Sequence, residues 1–255
     1  MLIDTHAHIY VKEFATEYHD MLQRAYALGV ERIYLPNIDL HSIPEIQAIQ
    51  KLSDKVYPMM GLHPCHVKED YQEVLNNIYH ELKAGNYHGI GETGIDLYWD
   101  PATLPLQIEA FKIQCKWANE FDLPIIIHSR DATTIVIELL EKMSDRPCRG
   151  VFHCFGGTVE EIDRINAMGD YYYGIGGVIT FKNGGLAEKV HLISKQKLVL
   201  ETDSPYLAPS PHRGKRNEPS YLPLVVKKLS ECLKLSVEET ENLTTENAIK
   251  LFAKN

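Results

Sequence analysis

The sequence has no long hydrophobic run and no surplus of basic residues. None of its apolar stretches reaches the length of about 18 residues that a membrane-spanning helix needs, and no basic segment followed by an apolar one opens the chain. We therefore expect neither a transmembrane helix nor a signal peptide. Lysine and arginine total 26 against 35 aspartate and glutamate residues, which gives a net charge of −9. This balance argues against a protein that coats long stretches of nucleic acid with a broad basic face, but it allows an enzyme that binds one or two phosphates locally.

The cysteines show no pairing pattern. The five cysteines are an odd number and none stands in a CxxC pair, so the sequence does not predict a disulfide framework. A reducing cytoplasm is the simpler expectation. A GxGxxG fingerprint is also missing after the first predicted strand, and the glycine-rich stretch GIGGV at 174–178 lacks that spacing. Its absence disfavours a doubly wound dinucleotide-binding fold.

What the sequence does have is a regular alternation of short apolar runs and amphipathic stretches. We predict strands at 2–8, 31–36, 56–61, 88–93, 124–128, 150–154, 172–176 and 197–202. Strands that alternate with helices form parallel βα units, and eight such units close into a TIM (β/α)8 barrel of about 250 residues. We therefore predict an α/β fold with a single domain over 1–255, and keep an open doubly wound sheet as the alternative.

Several residues mark helix boundaries. Thr158 and Glu161 have the spacing of a capping box ahead of the sixth predicted helix, and Ser236 and Glu239 repeat it near the end of the chain. Gly169 is placed to end a helix before the next strand.

Polar side chains fall at the carboxyl ends of the predicted strands. The first strand carries two imidazoles separated by one residue, and residues i and i+2 of a strand point to the same face. Histidines or carboxylates end or follow six of the strands, at His6, His8, His63, Glu92, His128, His153, Glu201 and Asp203. Because the carboxyl ends of parallel barrel strands open onto one face, we expect these side chains to converge there.

This mixture of side chains predicts a metal site. Neutral imidazole with carboxylate suits Zn²⁺, Mn²⁺, Fe²⁺ or Co²⁺, whereas Mg²⁺ prefers oxygen ligands. The candidate ligands are too many for one tetrahedral ion, so we expect two divalent ions that share a bridging carboxylate, about 3.5–4 Å apart. A lone strand-end histidine is more often structural, and that is the better interpretation of His63 taken singly. Burying the whole set without compensation would nevertheless be very costly.

Five motifs resemble a known family. DTHAH, GETGID, IIIHSRDA, HCFGGT and LVLETDSPYLAP follow one another in the order and at the spacing of the TatD-related metal-dependent deoxyribonucleases, and HRGKRNEP and TTENAIKLF are similar to that family too. The resemblance covers essentially the whole chain. It implies an amidohydrolase-type TIM barrel that hydrolyses phosphodiester bonds of DNA through a water activated by two metal ions. Single strands or strand ends are the expected substrate, and 3′-5′ exonuclease action is the expected mode.

The resemblance also implies roles for individual residues. It makes the metal ligands His6, His8, Glu92, His128, His153 and Asp203. Glu92 would bridge the ions, one held with His6, His8 and Asp203 and the other with His128 and His153. In the mechanism that we expect, Asp203 would be the general base or would orient the attacking water, and Glu201 would support the ligands from deeper in the barrel. The metal, be it Zn²⁺, Mg²⁺, Mn²⁺ or another divalent ion, is left open.

Other positions concern the substrate. His63, Arg130 and Arg213 are candidate phosphate contacts, the last in the loop HRGKR. Tyr10 stands where the family often has an acidic or amide residue. This departure calls into question a substrate contact at that position, but not the metal site.

Two other functions remain open. One is an amidohydrolase that acts on a small-molecule amide or ester; many such enzymes bridge two metals with a carboxylated lysine from strand four. Here that strand offers Glu92 and no lysine, which favours the nuclease. The other is a metal-binding scaffold without catalysis, which the presence of a base and phosphate-binding groups disfavours. We expect no association with a membrane, and protein partners are left open.

Overall fold

The computed structural model describes residues 1–143 and 148–253, and in them eight parallel strands form a closed ring. The strands are β1 (Leu2–Asp4), β2 (Val30–Leu35), β3 (Val56–Pro58), β4 (Ile90–Asp96), β5 (Ile125–Arg130), β6 (Gly150–Phe152), β7 (Tyr171–Ile175) and β8 (Leu198–Leu200). Two hydrogen-bonded sheets have the orders β1-β2-β3 and β4-β5-β6-β7-β8. Parallel bridges between Met60 and Ile90 and between Ala7 and Ser204 join them at both seams. The predicted TIM barrel is confirmed, and the open sheet is excluded.

Helices surround this ring. Across the described residues they are α1 (Tyr18–Ala27), α2 (Ser42–Gln50), α3 (Tyr71–Ala84), α4 (Leu104–Glu120), α5 (Thr133–Lys142), α6 (Val159–Met168), α7 (Leu186–Lys189), α8 (Leu222–Leu233) and α9 (Val237–Phe252). Both predicted capping boxes are confirmed, with Thr158 and Ser236 as the capping residues. Gly169 ends α6 at φ +93°, a conformation that favours glycine. In the described part of the chain no helix is both long and apolar enough to cross a membrane.

The interior of the barrel is apolar at its amino-terminal end. Ile3, Ile126, Val151 and Val199 come from four strands and pack in one buried cluster with Leu251 of α9. The last helix therefore covers the barrel at that end, where a charged side chain would find no water and no partner. The polar strand-end residues gather at the opposite end.

Several strands are shorter at their carboxyl ends than the sequence predicts. β1 ends at Asp4 rather than at residue 8, and β3, β6 and β8 also end early. The segments beyond still make hydrogen bonds between neighbouring strands: the N–H of His8 donates to Ser204, and that of Asp203 donates to His6. His6, His8 and Asp203 therefore lie on short connecting segments that are fixed by backbone pairing across the β8–β1 seam, whereas Glu92 and His128 lie within β4 and β5.

β4 is longer at its carboxyl end than the sequence predicts: it continues to Asp96, beyond the predicted end near residue 93. Gly94 makes this possible. It has φ +143°, and a Cβ atom there would lie 1.9 Å from the carbonyl oxygen of His128. Because only glycine permits so close an approach of β4 to β5, both Glu92 and Asp96 are held beside His128.

Candidate active site

Glu92 lies at the centre of a histidine cluster at the carboxyl end of the barrel. It is 2% exposed, and its two carboxylate oxygens face different partners. Oε2 lies 3.2 Å from Nε2 of His6 and 3.2 Å from Nε2 of His8. Oε1 lies 2.8 Å from Nδ1 of His128 and 3.1 Å from Nε2 of His153. One carboxylate thus contacts two pairs of imidazoles, which is the arrangement that a bridging ligand requires.

Asp203 adjoins the first of these pairs. Its Oδ1 lies 3.7 Å from Nε2 of His6 and 3.6 Å from Nε2 of His8. Burial raises the pKa of Asp203 to about 6, although His153 and His8 act in the opposite direction. A carboxyl group whose pKa lies near the working pH is well suited to take up and release a proton.

The donor atoms of the cluster fit divalent metal ions. Groups of ligand atoms lie within 4.8 Å of one another in His6, His8 and Asp203, in His6, His153 and Glu201, and in His63, Glu92 and His128. Nδ1 of His6 and Oε2 of Glu201 are buried without a hydrogen-bond partner in the described residues, and Nδ1 of His153 lies 3.4 Å from Oε1 of Glu201 without forming a hydrogen bond of good geometry. Such groups are costly unless something compensates them, and mixed imidazole and carboxylate donors suit a borderline divalent ion.

Tyr10 determines the tautomer of His8. The phenol donates its hydrogen to the carbonyl oxygen of Pro36 at 2.8 Å, and its oxygen lies 2.9 Å from Nδ1 of His8. Because a phenol has a single hydrogen to donate, Nδ1 of His8 must be the protonated nitrogen. Nε2 of His8 is then unprotonated, and its lone pair lies beside Glu92. Tyr10 is 2% exposed, so it makes no substrate contact and instead orients His8.

His63 has the opposite tautomer. Its Nδ1 accepts a hydrogen bond from the N–H of Cys65 at 3.1 Å, and its Nε2 lies 3.4 Å from Oε1 of Glu92. Burial lowers the pKa of His63 to about 4, so the ring is neutral at pH 7 and its one proton is on Nε2. Nε2 of His63 is therefore a donor. This favours the predicted phosphate contact over a place among the metal ligands.

Asp96 is a residue that the sequence analysis missed. Its Oδ2 lies 2.8 Å from Nε2 of His128, on the side of the ring away from Glu92. Burial acts to raise the pKa of Asp96, but hydrogen bonds from His128 and from the N–H of Trp99 outweigh it and lower the pKa to about 2. A carboxylate behind a ligating histidine fixes the ring and increases its basicity. The available sequence signal was the acid that ends GETGID.

Glu201 lies behind His153. It is fully buried; its Oε1 lies 3.4 Å from Nδ1 of His153 and accepts a hydrogen bond from the N–H of Cys154. Gly174 makes room for it, because a Cβ atom there would lie 2.1 Å from Oε2 of Glu201. The supporting role predicted for Glu201 would therefore act through His153.

The two arginines predicted to contact phosphate line the cavity that contains the cluster. This cavity has a volume of about 810 Å³, and Lys215 adds a third cation to its wall. The guanidinium group of Arg213 lies 3.4 Å from the ring centroid of Phe181, and that of Arg130 lies 4.0 Å from the ring centroid of Tyr98. Both side chains are thus held by aromatic rings at the mouth of the site.

Comparison with known proteins identifies the family. A family model described as TatD related DNase matches residues 3–253. The chain belongs to the TatD-related DNase family. A Bacillus subtilis (strain 168) protein named uncharacterized metal-dependent hydrolase YabD is 38% identical over 256 residues, with 100% of each chain covered. A Citrobacter rodentium protein named 3'-5' ssDNA/RNA exonuclease TatD is 31% identical over 257 residues, which cover 98% of this chain and 97% of the relative.

A solved structure of a TatD homologue has the same fold. The crystal structure of YjjV from Escherichia coli K12 matches with a TM-score of 0.92 at 28% sequence identity, covering 98% of this chain and 97% of that one. The TIM barrel predicted from the sequence is thus also that of a TatD homologue. As a member of the TatD family, the chain is a metal-dependent hydrolase that acts on ester bonds.

Proposed function

We propose that this TatD-family hydrolase is a deoxyribonuclease that cleaves phosphodiester bonds of DNA, acting as a 3′-5′ exonuclease on single strands or strand ends. The observation that carries the proposal is the division of partners at Glu92: His6 and His8 lie at one carboxylate oxygen, and His128 and His153 lie at the other. These sets would hold two divalent ions with Glu92 between them, and Asp203 would complete the first set. The Citrobacter relative named an exonuclease supports the substrate and the polarity.

The chain's own residues transfer the proton and bind the substrate. When bound, the two ions would lower the pKa of a water molecule and offset charge on the phosphate oxygens. Asp203 takes the proton of the attacking water and returns it to the departing alcohol oxygen as the P–O bond breaks. His63 donates a hydrogen bond from Nε2 to a phosphate oxygen, and Arg130 and Arg213 hold neighbouring phosphates.

A small-molecule amidohydrolase is the second candidate. The cavity wall carries Arg130, Arg213 and Lys215, and three cations favour a polyanionic substrate over a neutral amide. The strand-four bridging residue is Glu92, and no lysine occurs in β4. Both observations favour the nuclease. For the location of the enzyme we propose the cytoplasm, because all five cysteines are free thiols.

The decisive experiment combines metal analysis with product sizing. Chelator-stripped protein is reloaded with Zn²⁺, Mn²⁺ or Mg²⁺ singly, and is then incubated with 5′-labelled single-stranded DNA, a dinucleotide ester and a panel of small amides. We expect about two ions per chain and a ladder of products that shortens from the 3′ end. Hydrolysis of the amides alone would contradict the nuclease.

A double variant tests the assignment of the first ion. His6→Ala with His8→Ala should lose one ion and nearly all activity, whereas His19→Ala, at an exposed position of α1, should retain both. Unchanged stoichiometry in the double variant would contradict the role assigned to the first strand.

A further inference from the structure

An exposed tryptophan stands at the mouth of the cavity. Trp99 is 67% exposed, and the neighbouring Tyr98 is 53% exposed. Trp99 lines the same cavity as Glu92, His128 and Arg130. A large aromatic ring that stays in water gains nothing for folding, so its position beside the reacting groups points to contact with the substrate.

The two rings and Arg130 form one surface, which we call the Trp99 platform. The guanidinium group of Arg130 lies 4.0 Å from the ring centroid of Tyr98 and 5.7 Å from that of Trp99. The two rings meet edge to face, with centroids 4.8 Å apart. Tyr98 and Arg130 thus support the indole while most of its surface remains open. A flat aromatic face next to a cation matches a nucleobase with its attached phosphate.

The platform is tied to the histidine cluster by a single carboxylate. Oδ1 of Asp96 accepts hydrogen bonds from the backbone N–H groups of Tyr98 at 2.9 Å and Trp99 at 2.7 Å. Oδ2 of the same side chain lies 2.8 Å from Nε2 of His128. The backbone that carries the exposed rings is therefore held at a fixed distance from the cluster. This is the geometry that places a substrate group relative to the scissile bond.

We propose that the Trp99 platform is a nucleobase-stacking subsite, which binds one unpaired base of the strand whose phosphodiester bond lies at the histidine cluster. The proposal rests on the nuclease function above and specifies what the site recognises: an unstacked base next to a phosphate, with tolerance for base identity, because every base has a π face. A base inside a duplex already stacks on both sides. The platform therefore selects single strands and frayed ends.

Equilibrium binding tests the subsite without any cleavage. Protein in EDTA is titrated into a fluorescently labelled single-stranded oligonucleotide, and anisotropy gives Kd. Loss of one base–aromatic stack weakens binding, and so raises Kd, by about 5- to 150-fold. We expect this increase in Kd for Trp99→Ala and a Kd close to that of the wild type for Trp99→Phe. Leu52→Ala is the matched control, because Leu52 is a comparably exposed apolar side chain, at 59%, and does not line the cavity.

Tryptophan fluorescence reports on the base itself. The chain has two tryptophans, and the other, Trp117, is only 7% exposed. An oligonucleotide should quench the emission of the wild type but not that of Trp99→Phe, and a strand with abasic sites throughout should bind more weakly without quenching. Wild-type affinity in Trp99→Ala, or equal binding of the abasic strand, would overturn the proposal. Quenching that increases with protein concentration in the absence of oligonucleotide would also overturn the proposal, because it would indicate that a second copy of the chain binds the platform.

The activity assay separates this proposal from the nuclease function. With metal restored, KM for the single strand should rise in Trp99→Ala by a factor similar to that in Kd, and the preference for base-bearing over abasic substrate should disappear. If the wild type cleaves no DNA while base-dependent quenching persists in EDTA, the nuclease function fails and the subsite stands. If the wild type cleaves DNA and Trp99→Ala retains its KM, the subsite fails and the nuclease function stands.

Discussion

The hydroxyl oxygen of Tyr10 lies 2.9 Å from Nδ1 of His8, and it accepts rather than donates the hydrogen between them. Its own hydrogen is used by the carbonyl oxygen of Pro36, 2.8 Å away. The lone pair that His8 directs towards Glu92 therefore depends on a residue that touches neither metal nor substrate. Outer partners of this kind govern the orientation and basicity of a ligating imidazole.

Tyr10→Phe should weaken metal binding by about 10- to 100-fold. The change removes the acceptor of the Nδ1 proton, so the His8 ring is free to rotate or to change tautomer. Titration of stripped protein with Zn²⁺ against a competing chelator measures the affinity. The matched control is Tyr173→Phe, because Tyr173 is buried and its hydroxyl group lies within hydrogen-bond distance of the carbonyl oxygen of Ile162, at 3.1 Å, and of Oδ1 of Asn166, at 3.0 Å. Tyr173→Phe should be destabilised about as much as Tyr10→Phe but should bind metal with unchanged affinity. An equal loss of metal affinity in both variants would refute a specific role for Tyr10.

The barrel and the convergence of its polar residues could be predicted from the sequence because both follow from strict periodicities. Alternating strands and helices define parallel units, and parallel units bring all carboxyl ends to one face. His6, His8, Glu92, His128 and His153 each interrupt or follow a buried apolar run, and the structure brings all of them to one cluster. The exact strand ends could not be read in this way, because they depend on which backbone groups pair across a seam.

Two partners behind the cluster, Asp96 and Tyr10, could not be predicted. Asp96 contacts His128 only because β4 and β5 are paired with Gly94 beside His128, and that register follows from close packing of two backbones. Tyr10 contacts His8 directly, and its hydroxyl group is oriented by the carbonyl group of Pro36, which follows β2. Contacts of this kind depend on three-dimensional placement that residue spacing does not encode. The motif GETGID contained Asp96, but not the direction of its side chain.

Asp203→Asn should separate proton transfer from metal binding. The amide keeps the size and one oxygen of the carboxylate but cannot accept a proton, so kcat should fall roughly 10²- to 10⁴-fold while metal content falls modestly. Glu201→Gln should be milder at saturating metal, because Glu201 contacts the cluster at Nδ1 of His153, behind the face that meets Glu92. The metal affinity of Glu201→Gln should decrease. Both quantities are measured by steady-state kinetics and elemental analysis. Near-normal kcat in Asp203→Asn with two ions bound would exclude Asp203 as the base.

The affinity for single-stranded DNA should depend only weakly on salt. The net charge is −9, so attraction has to come from the cations of the cavity wall, Arg130, Arg213 and Lys215. Three neutralised phosphates on a single strand correspond to a slope of log Kobs against log salt of about −2. Arg213→Gln should reduce that slope by about 0.7, whereas Lys112→Gln, at an exposed ion pair on α4, should not change it. A much steeper slope would indicate an extended basic face instead.

A bidentate ion pair joins α1 to the segment before α8. Nε and Nη2 of Arg24 donate to the two carboxylate oxygens of Glu218 at 2.8 and 2.7 Å. Burial acts to raise the pKa of Glu218, but hydrogen bonds from Arg24 and Ser220 outweigh it and hold the pKa below its usual range. A carboxyl group with a depressed pKa in the folded state stabilises the fold fully above its unfolded pKa of about 4.3, and loses that contribution as the pH falls through the folded value.

Arg24→Ala should therefore lower the free energy of unfolding by about 1–3 kcal/mol at pH 7, because the 6%-exposed Glu218 loses its bidentate partner and keeps the longer contact with Arg216, 3.7 Å away. The deficit should shrink as the pH falls below about 4, where the carboxyl group is protonated in both proteins. Arg164→Ala is the matched control: its bidentate pair with Glu141 lies at the surface, with the two side chains 34% and 42% exposed, so its loss should cost no more than about 1 kcal/mol. Urea unfolding at pH 7, 5 and 3.5 measures all three proteins. A deficit for Arg24→Ala that stays constant across this range would show that lost packing, and not the ion pair with Glu218, is the cause.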